Sequence, residues 1–184
     1  VAGNHDYGAV GLTDTSNFNP VARAAIEWTA KELSTINRNF LSGFHLISII
    51  DDITFVHSTP YNPQNWDYIF YRDDLTMDFD SFQTQICFIG HSHIPVVFKR
   101  DSTERVSLSK APIVRLEERG RYIINLGSVG QPRDGIPDAA FGIYDAKECV
   151  FTFKRLPYDI GTAQKKIIRA GLPEHLAARI AVGR

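Results

Sequence analysis

The chain has 184 residues, the size of one ordinary domain, and 43% of them are hydrophobic while 22% are charged. That balance is typical of a globular protein and excludes an intrinsically disordered chain. The formal net charge of −1 supplies no long-range field to attract nucleic acid or an anionic membrane surface. Since no run of Lys and Arg supplies such a field locally, we expect neither partner.

The first half of the chain mixes helix and strand patterns. Asn19-Pro20 is a helix-start signal, and the spaced apolar residues behind it predict an amphipathic helix from Pro20 to Arg38. Two apolar runs around Asp51-Asp52, in FHLISIIDDITFVHS, predict a β-hairpin whose strands are largely buried. The aromatic segment from Tyr61 to Tyr71 indicates a loop, and a short helix is predicted around Leu75 to Gln83.

The second half is rich in strand patterns. QICFIG and PVVFKR predict two buried strands, and PIVRLEE, RYIINLG, AAFGIYD and CVFTFKRL predict four more, joined by Gly, Asp or Lys turns. Two helices are predicted between Asp159 and Val182, separated by Gly171-Leu172-Pro173. This order of elements predicts a layered α/β sandwich formed by one domain over residues 1–184.

The two cysteines carry no disulfide or zinc pattern. Cys87 and Cys149 lie far apart in the apolar segments QICFIG and ECVFTF, so we expect both to be small core residues in a reducing compartment. No apolar stretch is long enough to span a bilayer, and the first residues show no signal-peptide pattern. The cytoplasm is therefore the expected location.

Polar side chains follow three apolar strand patterns at the point where each ends. VAG leads into Asn4-His5-Asp6, ITFV leads into His57, and ICFIG leads into His91-Ser92-His93. Ligands of open α/β sheets gather beyond the carboxyl ends of the strands, so these side chains are predicted to share one site. His91 and His93, two residues apart on an extended segment, would face one cavity. Gly90 would permit a sharp turn before them.

Three imidazoles and one amide oxygen are a donor set that suits Zn, Mn or Fe better than Ca²⁺. Two divalent ions about 3.5–4 Å apart would also need a bridging carboxylate. Asp6 follows His5 too closely to bridge two ions and is better placed to orient the His5 ring. His45 and His175 lack a strand-end context, and we expect them to be ordinary surface or helix-packing residues.

These motifs, in this order, resemble a known family. Gly3-Asn4-His5-Asp6, then His57, then Gly90-His91-Ser92-His93 are similar to the last three of five motifs of calcineurin-like metallophosphoesterases. NLGSVGQPRDG, AAFGIYD and the last 30 residues resemble the single-domain prokaryotic branch near the diadenosine tetraphosphatases, although Leu126 stands where that branch usually has Pro. The resemblance implies a four-layer αββα sandwich that lacks its N-terminal part.

The resemblance also implies an activity and a set of roles. Asn4, His57 and His91 would bind one divalent metal ion and His93 a second, with Mn, Fe or Zn as the metals. His5 would be the general acid, held in position by Asp6, and a metal-bridging hydroxide would attack the phosphorus of a phosphorylated small molecule or nucleotide. The two remaining family motifs, Asp-x-His and Gly-Asp-x-x-Asp with the bridging aspartate, are absent. They would precede Val1, so the chain is expected to be inactive without them.

Alternatives remain open at this stage. The chain could be a protein-interaction scaffold that keeps the fold without the chemistry, or a mononuclear zinc hydrolase. The loop from Gly127 to Gly130 and Arg133 could bind substrate phosphates or form an ordinary turn with a solvated arginine. The aromatic residues from Trp66 to Tyr71 could stack on a nucleobase, but such a cluster is more often a satellite core.

Overall fold

The computed structural model describes residues 1–71 and 75–184, in which nine strands form two sheets. The α-helices are α1 Asn4–Val10, α2 Pro20–Glu32, α3 Thr35–Ser42, α4 Thr76–Asp80, α5 Ile160–Arg169 and α6 Glu174–Ile180, and a short 3₁₀ helix covers Pro63–Asn65. The strands are β1 Ile47–Ile50, β2 Ile53–Val56, β3 Ile86–Ile89, β4 Val96–Arg100, β5 Val106–Ser109, β6 Ile113–Arg115, β7 Arg121–Asn125, β8 Ala139–Asp145 and β9 Val150–Leu156.

The larger sheet has six strands in the order β1-β2-β3-β7-β4-β5. Its centre is parallel, because β2 pairs with β3 and β3 pairs with β7 in the same direction, whereas β1, β4 and β5 run antiparallel to their neighbours. The smaller sheet is antiparallel, in the order β6-β9-β8. The parallel centre brings the carboxyl ends of β2, β3 and β7 to one edge of the larger sheet.

Apolar side chains cover both faces of the larger sheet. Phe88 of β3 and Ile124 of β7 share a buried cluster with Phe151 of β9, so this cluster lies between the two sheets. A second cluster joins Phe79 of α4 to Phe98 of β4. Fully burying a side chain of this kind contributes about 1.5–3 kcal/mol, and packing on both faces fixes the sheet that positions the site. The predicted α/β sandwich is confirmed.

One predicted helix is divided in the structure, and one strand was not predicted. The helix predicted from Pro20 to Arg38 is two helices, since α2 ends at Glu32 and the hydroxyl of Ser34 accepts the Asn37 N–H to begin α3. The strand β5, over Val106–Ser109, was not predicted. The strands from β6 to β9 and the helices α5 and α6 are confirmed, with the break between the two helices at the predicted Gly171 segment.

The predicted hairpin is present, but its burial was predicted wrongly. Asp51 and Asp52 both have positive φ, at 49° and 61°, which is the geometry of the two-residue turns that best match the twist of a hairpin. β1 forms an edge of the large sheet, and its residues Ile47, Ile49 and Ile50 are exposed. Only β2, which lies between β1 and β3, has alternate residues buried.

The two cysteines lie in different environments. Cys87 is fully buried, and this burial raises the pKa of its thiol to about 12. Cys149 is exposed and has a positive φ of 52° just before β9, so the prediction that it is a core residue was wrong. Both are free thiols, as predicted. None of the helices in residues 1–71 and 75–184 has the length and apolar character needed to cross a bilayer.

Candidate active site

Two predicted site residues follow neighbouring parallel strands. His57 comes directly after β2, and His91 comes two residues after the end of β3. The strands are paired in register up to Phe55 and Phe88, and beyond their ends the N–H of Gly90 donates to the carbonyl of His57 at 2.9 Å. The shared strand edge therefore brings the two imidazoles together, as the sequence predicts.

Asn4 also lies beside His57, but a different kind of element positions it. The segment from Val1 to Gly3, predicted to be a strand, is not part of either sheet in the described residues, although the Ala2 N–H donates to the carbonyl of His45 at 2.9 Å. Asn4 is instead the first residue of α1. Its side-chain oxygen lies 3.1 Å from Nε2 of His57. Asn4 is therefore positioned by the start of a helix and not by the end of a strand.

Donor atoms of Asn4 and His91 both lie close to Nε2 of His57. Nε2 of His57 lies 3.1 Å from Oδ1 of Asn4 and 3.1 Å from Nδ1 of His91. Two ligands bound about 2.1 Å from one ion at a right angle are about 3 Å apart, so this spacing fits a shared metal ion. In the described ranges no three His, Cys, Asp or Glu side chains are grouped to hold a metal. The group around Nε2 of His57 is two imidazoles and an amide.

Backbone carbonyls orient two of the imidazoles. Nε2 of His91 lies 2.8 Å from the carbonyl of Trp66, and Nδ1 of His93 lies 2.6 Å from the carbonyl of Gln131. A ring nitrogen that donates to a carbonyl leaves the other nitrogen with a free lone pair, which is the arrangement found in metal-binding histidines. His91 therefore offers Nδ1 to the group formed with His57 and Asn4. His93 offers Nε2 to a second position.

The protonation states also suit metal binding. Burial is the main cause that lowers the pKa values of His57, His91 and His93 to about 4, and neighbouring positive charges lower each further. All three rings are therefore neutral at pH 7, the form in which imidazole binds a metal. The site needs no proton release from these residues before an ion binds.

The backbone of the GHSH segment is turned, not extended. His91 and His93 have positive φ values of 60° and 61°, and the Ser92 N–H donates to the Gly90 carbonyl at 2.6 Å. Both rings do line one cavity, as predicted. The predicted cause, their spacing along an extended segment, was wrong, because the segment is turned. The sharp turn lies at His91, not at Gly90. Left-handed conformations at non-glycine residues cost about 1–3 kcal/mol each and occur preferentially at functional sites.

Asn125 holds this turn in place. The side chain is fully buried at the end of β7, and its amide donates to the carbonyl of Gly90 and, at 2.8 Å, to the hydroxyl of Ser92. Its oxygen accepts the Gly127 N–H at 3.0 Å. Sequence analysis assigned Asn125 no role. The available signal was a polar residue that ends a buried apolar strand.

Replacing Asn125 should loosen the site without removing a ligand. In Asn125→Ala, Gly90 and Ser92 lose a buried partner, so we expect a loss of about 1–3 kcal/mol in the free energy of unfolding. Metal affinity should fall about 10- to 100-fold, as for other residues that orient ligands. Urea unfolding and calorimetric titration with Mn²⁺ measure the two effects, with Asn39→Ala on the exposed side of α3 as the control. Unchanged metal affinity would limit Asn125 to a structural role.

Asp6 does not contact the His5 ring as predicted. Its carboxylate accepts the N–H of Gly3 at 2.8 Å, because that N–H precedes the first turn of α1 and has no partner within the helix. His5 itself is exposed. Desolvation by its neighbours and then the charge of Arg133 lower the pKa of His5, while the charge of Asp6 raises it. Asp6 thus acts on His5 only through space.

Gly3 leaves room for His57. A Cβ atom at this position would lie 3.0 Å from Cε1 and 3.1 Å from Nδ1 of the His57 ring, closer than such atoms normally approach. The backbone at Gly3 is ordinary extended chain, with a φ of −94°, so close packing, not conformation, excludes a larger residue. Gly3 therefore allows Asn4 to reach His57.

A cavity of about 630 Å³ opens in front of these residues. Its lining includes four of the six predicted site residues, Asn4, His5, His91 and His93. His57 is not part of the lining, and Asp6 is not either. Further lining residues come from distant parts of the chain. Sequence analysis left Trp66, Tyr68 and Arg133 as open alternatives, and it assigned no site role to Asn17, Phe18, Asn19, Gln131, His175 and Arg179. His175, expected to be an ordinary residue, is thus at the site.

The aromatic segment borders the cavity. The Tyr68 ring stacks on His91 with ring centres 4.0 Å apart and planes at 17°, and it also stacks on Phe70 at 5.1 Å. Tyr68, Phe70 and Tyr71 are exposed, and only Ile69 among their neighbours is buried. The expectation that this segment is a satellite core was therefore wrong. It braces the His91 ring instead.

Comparison with known proteins identifies the family. A solved metallophosphoesterase from Sphaerobacter thermophilus is 37% identical and superposes with a TM-score of 0.85 over all of this chain and 76% of its own. The chain belongs to the metallophosphoesterase family. An uncharacterised protein, MJ0912 of Methanocaldococcus jannaschii, is 40% identical over 192 residues, covering all of this chain and 75% of that protein.

A third relative shares the fold alone. The hypothetical protein PH1004 of Pyrococcus horikoshii is 16% identical, with a TM-score of 0.73 over 98% of this metallophosphoesterase and 71% of that chain. No protein-family profile matches the sequence. The predicted superfamily and α/β fold are confirmed, whereas the prokaryotic branch near the diadenosine tetraphosphatases stays a prediction.

Proposed function

We propose that this metallophosphoesterase hydrolyses phosphoric esters with a dinuclear metal centre. The observation that supports this most directly is the grouping of Asn4, His57 and His91, in which Nε2 of His57 lies 3.1 Å from Oδ1 of Asn4 and 3.1 Å from Nδ1 of His91. His93 supplies a further imidazole on the same cavity, with its free nitrogen available to a second ion. Imidazole and amide donors suit Mn, Fe and Zn.

The roles of the side chains follow from their placement. Asn4, His57 and His91 would hold one ion, and His93 would hold part of the second. When bound, the metals supply a water of lowered pKa as the attacking hydroxide and offset the negative charge of the phosphoryl oxygens. His5, exposed on the cavity, would donate a proton to the departing oxygen. Its lowered pKa makes it a ready proton donor once it is protonated.

The cavity supports a substrate of limited size. At about 630 Å³ it lies in the range of small-molecule sites, which fits a phosphorylated small molecule or nucleotide and not a polymer lying in an extended groove. A location in the cytoplasm, where nucleotides are abundant, is part of the same proposal. The near-zero net charge gives no general attraction to nucleic acid.

Hydrolysis of model esters tests the proposal. The protein is expressed from its complete reading frame and assayed with bis(p-nitrophenyl) phosphate and with p-nitrophenyl phosphate in the presence of Mn²⁺. We expect hydrolysis that EDTA abolishes and that added Mn²⁺ restores. Hydrolysis that persists in EDTA, or no hydrolysis of either ester with Mn²⁺, Fe²⁺ or Zn²⁺, would refute the proposed function.

A further inference from the structure

The side chains proposed to bind the first metal ion come from two different parts of the fold. His57 and His91 follow strands of the larger sheet, whereas Asn4 begins α1. The other end of α1 is tied to α3, because the guanidinium of Arg38 donates to the carbonyl of Ala9 at 3.0 Å. That bond does not reach the ends of β2 and β3. The position of Asn4 relative to the two imidazoles therefore depends on contacts between α1 and the strand ends.

Trp66 lies between these two parts of the fold. It follows the 3₁₀ helix Pro63–Asn65 in the loop after β2, and it is half-buried in the wall of the cavity. Its ring meets the Tyr7 ring of α1 edge to face, with centres 6.0 Å apart and planes at 86°. Its indole Nε1–H donates to the hydroxyl of Thr13, shortly after α1, at 3.0 Å. One side chain thus makes two contacts with the helix that carries Asn4 and with the segment that follows it.

The same residue contacts both imidazoles at the strand ends. Its ring lies edge to face with the His57 ring, with centres 6.2 Å apart and planes at 69°. Its backbone carbonyl lies 2.8 Å from Nε2 of His91. Edge-to-face contacts at such separations are attractive and directional, and a carbonyl bonded to one ring nitrogen fixes the orientation of the other. Trp66 is therefore in contact with both strand-end ligands and with the helix that carries the third.

The backbone around Trp66 is held in an uncommon conformation. Trp66 has a positive φ of 59°, and Asn62, at the other end of the 3₁₀ helix, has one of 49°. Bulky residues rarely adopt this conformation, which persists where surrounding contacts hold it and which occurs preferentially at functional sites. One such contact comes from the buried hydroxyl of Ser58, which donates to the carbonyl of Pro63 at 2.9 Å. The loop thus presents Trp66 to the site in one orientation.

We infer that Trp66 is a positioning residue of the metal centre, which holds Asn4 at the distance that one shared ion requires from the two imidazoles. The ligand set itself rests on the proposed function. The indole N–H makes the decisive contact, because its bond to Thr13 fixes the α1 side of the ring while the backbone carbonyl fixes His91. His5 is also on α1, so the same link sets its distance from the bound ion.

Metal titration of variants tests this link without any hydrolysis. The protein, expressed from its complete reading frame, is titrated calorimetrically with Co²⁺, a divalent ion of the same series as Mn²⁺ and Zn²⁺. Trp66→Phe keeps an aromatic ring but loses the N–H, and Thr13→Val removes the acceptor of the same bond. Each should lower the Co²⁺ affinity about 10-fold, as for other residues that orient ligands. The double variant should lose no more than either single variant, because all three lack the same bond.

The visible absorption spectrum of bound Co²⁺ separates positioning from a purely structural role. This spectrum depends on the number and geometry of the ligands, so a displaced Asn4 should change it. A residue that only stabilised the fold would lower the free energy of unfolding and leave the spectrum of the folded protein unchanged. We expect Trp66→Phe and Thr13→Val to share an altered spectrum. Trp28→Phe, which replaces an exposed tryptophan of α2, is the matched control and should keep the wild-type affinity and spectrum.

The outcomes separate this inference from the proposed function. An unchanged Co²⁺ spectrum in both folded variants would overturn the inference, as would a wild type that binds no Co²⁺. Affinity losses that add in the double variant would also overturn it, since the Thr13 bond would then not be the link. Should Trp66→Phe unfold, Thr13→Val decides the question. Absence of hydrolysis in a protein that binds Co²⁺ would refute only the proposed function, and the titrations would still decide the role of Trp66.

Discussion

His91→Ala is expected to abolish tight metal binding and, with it, hydrolysis. The ring contributes Nδ1 to the group formed with His57 and Asn4, and His57 is the side chain that lies within hydrogen-bond distance of that nitrogen. Removing an outer partner of a ligand costs about 10- to 100-fold in affinity, so removing the ligand itself should cost at least about 100-fold. Calorimetric titration with Mn²⁺ and the phosphodiester assay measure the two losses.

A matched control separates the metal effect from general loss of a histidine. His45 is exposed and contributes only its backbone carbonyl, which accepts the Ala2 N–H, so His45→Ala should keep full metal content. His91→Ala also leaves Tyr68 without its stacking partner, and circular dichroism should confirm that the variant remains folded. A folded His91→Ala that binds Mn²⁺ as tightly as the wild type would remove His91 from the ligand set.

The part of the site that depends on strand order was predictable from the sequence. His57 and His91 each follow an apolar run, and parallel strands place such residues at one edge. The prediction was right because β2 and β3 are neighbours in the sheet. It was wrong for the approach of Asn4, since Val1 to Gly3 is not paired into a sheet in the described residues and the chain enters α1 directly.

The local conformation of the GHSH segment was not predictable from spacing. The side chains of residues i and i+2 point to the same side only where the backbone between them is extended. His91 and His93 instead adopt positive φ values. The turn is held by Asn125, 33 residues beyond Ser92 in the sequence. A contact between such distant positions leaves no trace in local periodicity.

The residues on the far wall of the cavity could not be predicted from the sequence for a related reason. Arg179 and His175 lie on α6, whose sequence reads as an ordinary helix, and they line the cavity because tertiary contacts place that helix there. One such contact is the hydrogen bond from the Gly135 N–H to the Gly183 carbonyl just after α6. Arg133 was considered as a phosphate ligand or as a solvated turn residue. Its contacts with His93 and Gln131 give it a fixed place that neither composition nor a turn signal indicates.

His5→Ala is expected to reduce turnover while sparing metal affinity. The His5 ring lies on the cavity wall and makes no hydrogen bond to Asn4, His57, His91 or His93 in the described structure. A general acid contributes about 10²- to 10⁴-fold in rate, so kcat should fall by a factor in that range while the Mn²⁺ titration matches the wild type. Loss of metal affinity would assign His5 to the metal centre instead.

The leaving group provides a sharper test of that role. A general acid matters most when the departing oxygen is strongly basic, because such an oxygen leaves poorly without a proton. His5→Ala should therefore lose much more activity with alkyl phosphates than with p-nitrophenyl esters, whose phenolate leaves unaided. Equal losses with both kinds of ester would indicate that His5 stabilises charge in the transition state by electrostatics alone. Wild-type turnover in the variant with both kinds of ester would exclude His5 from the chemistry.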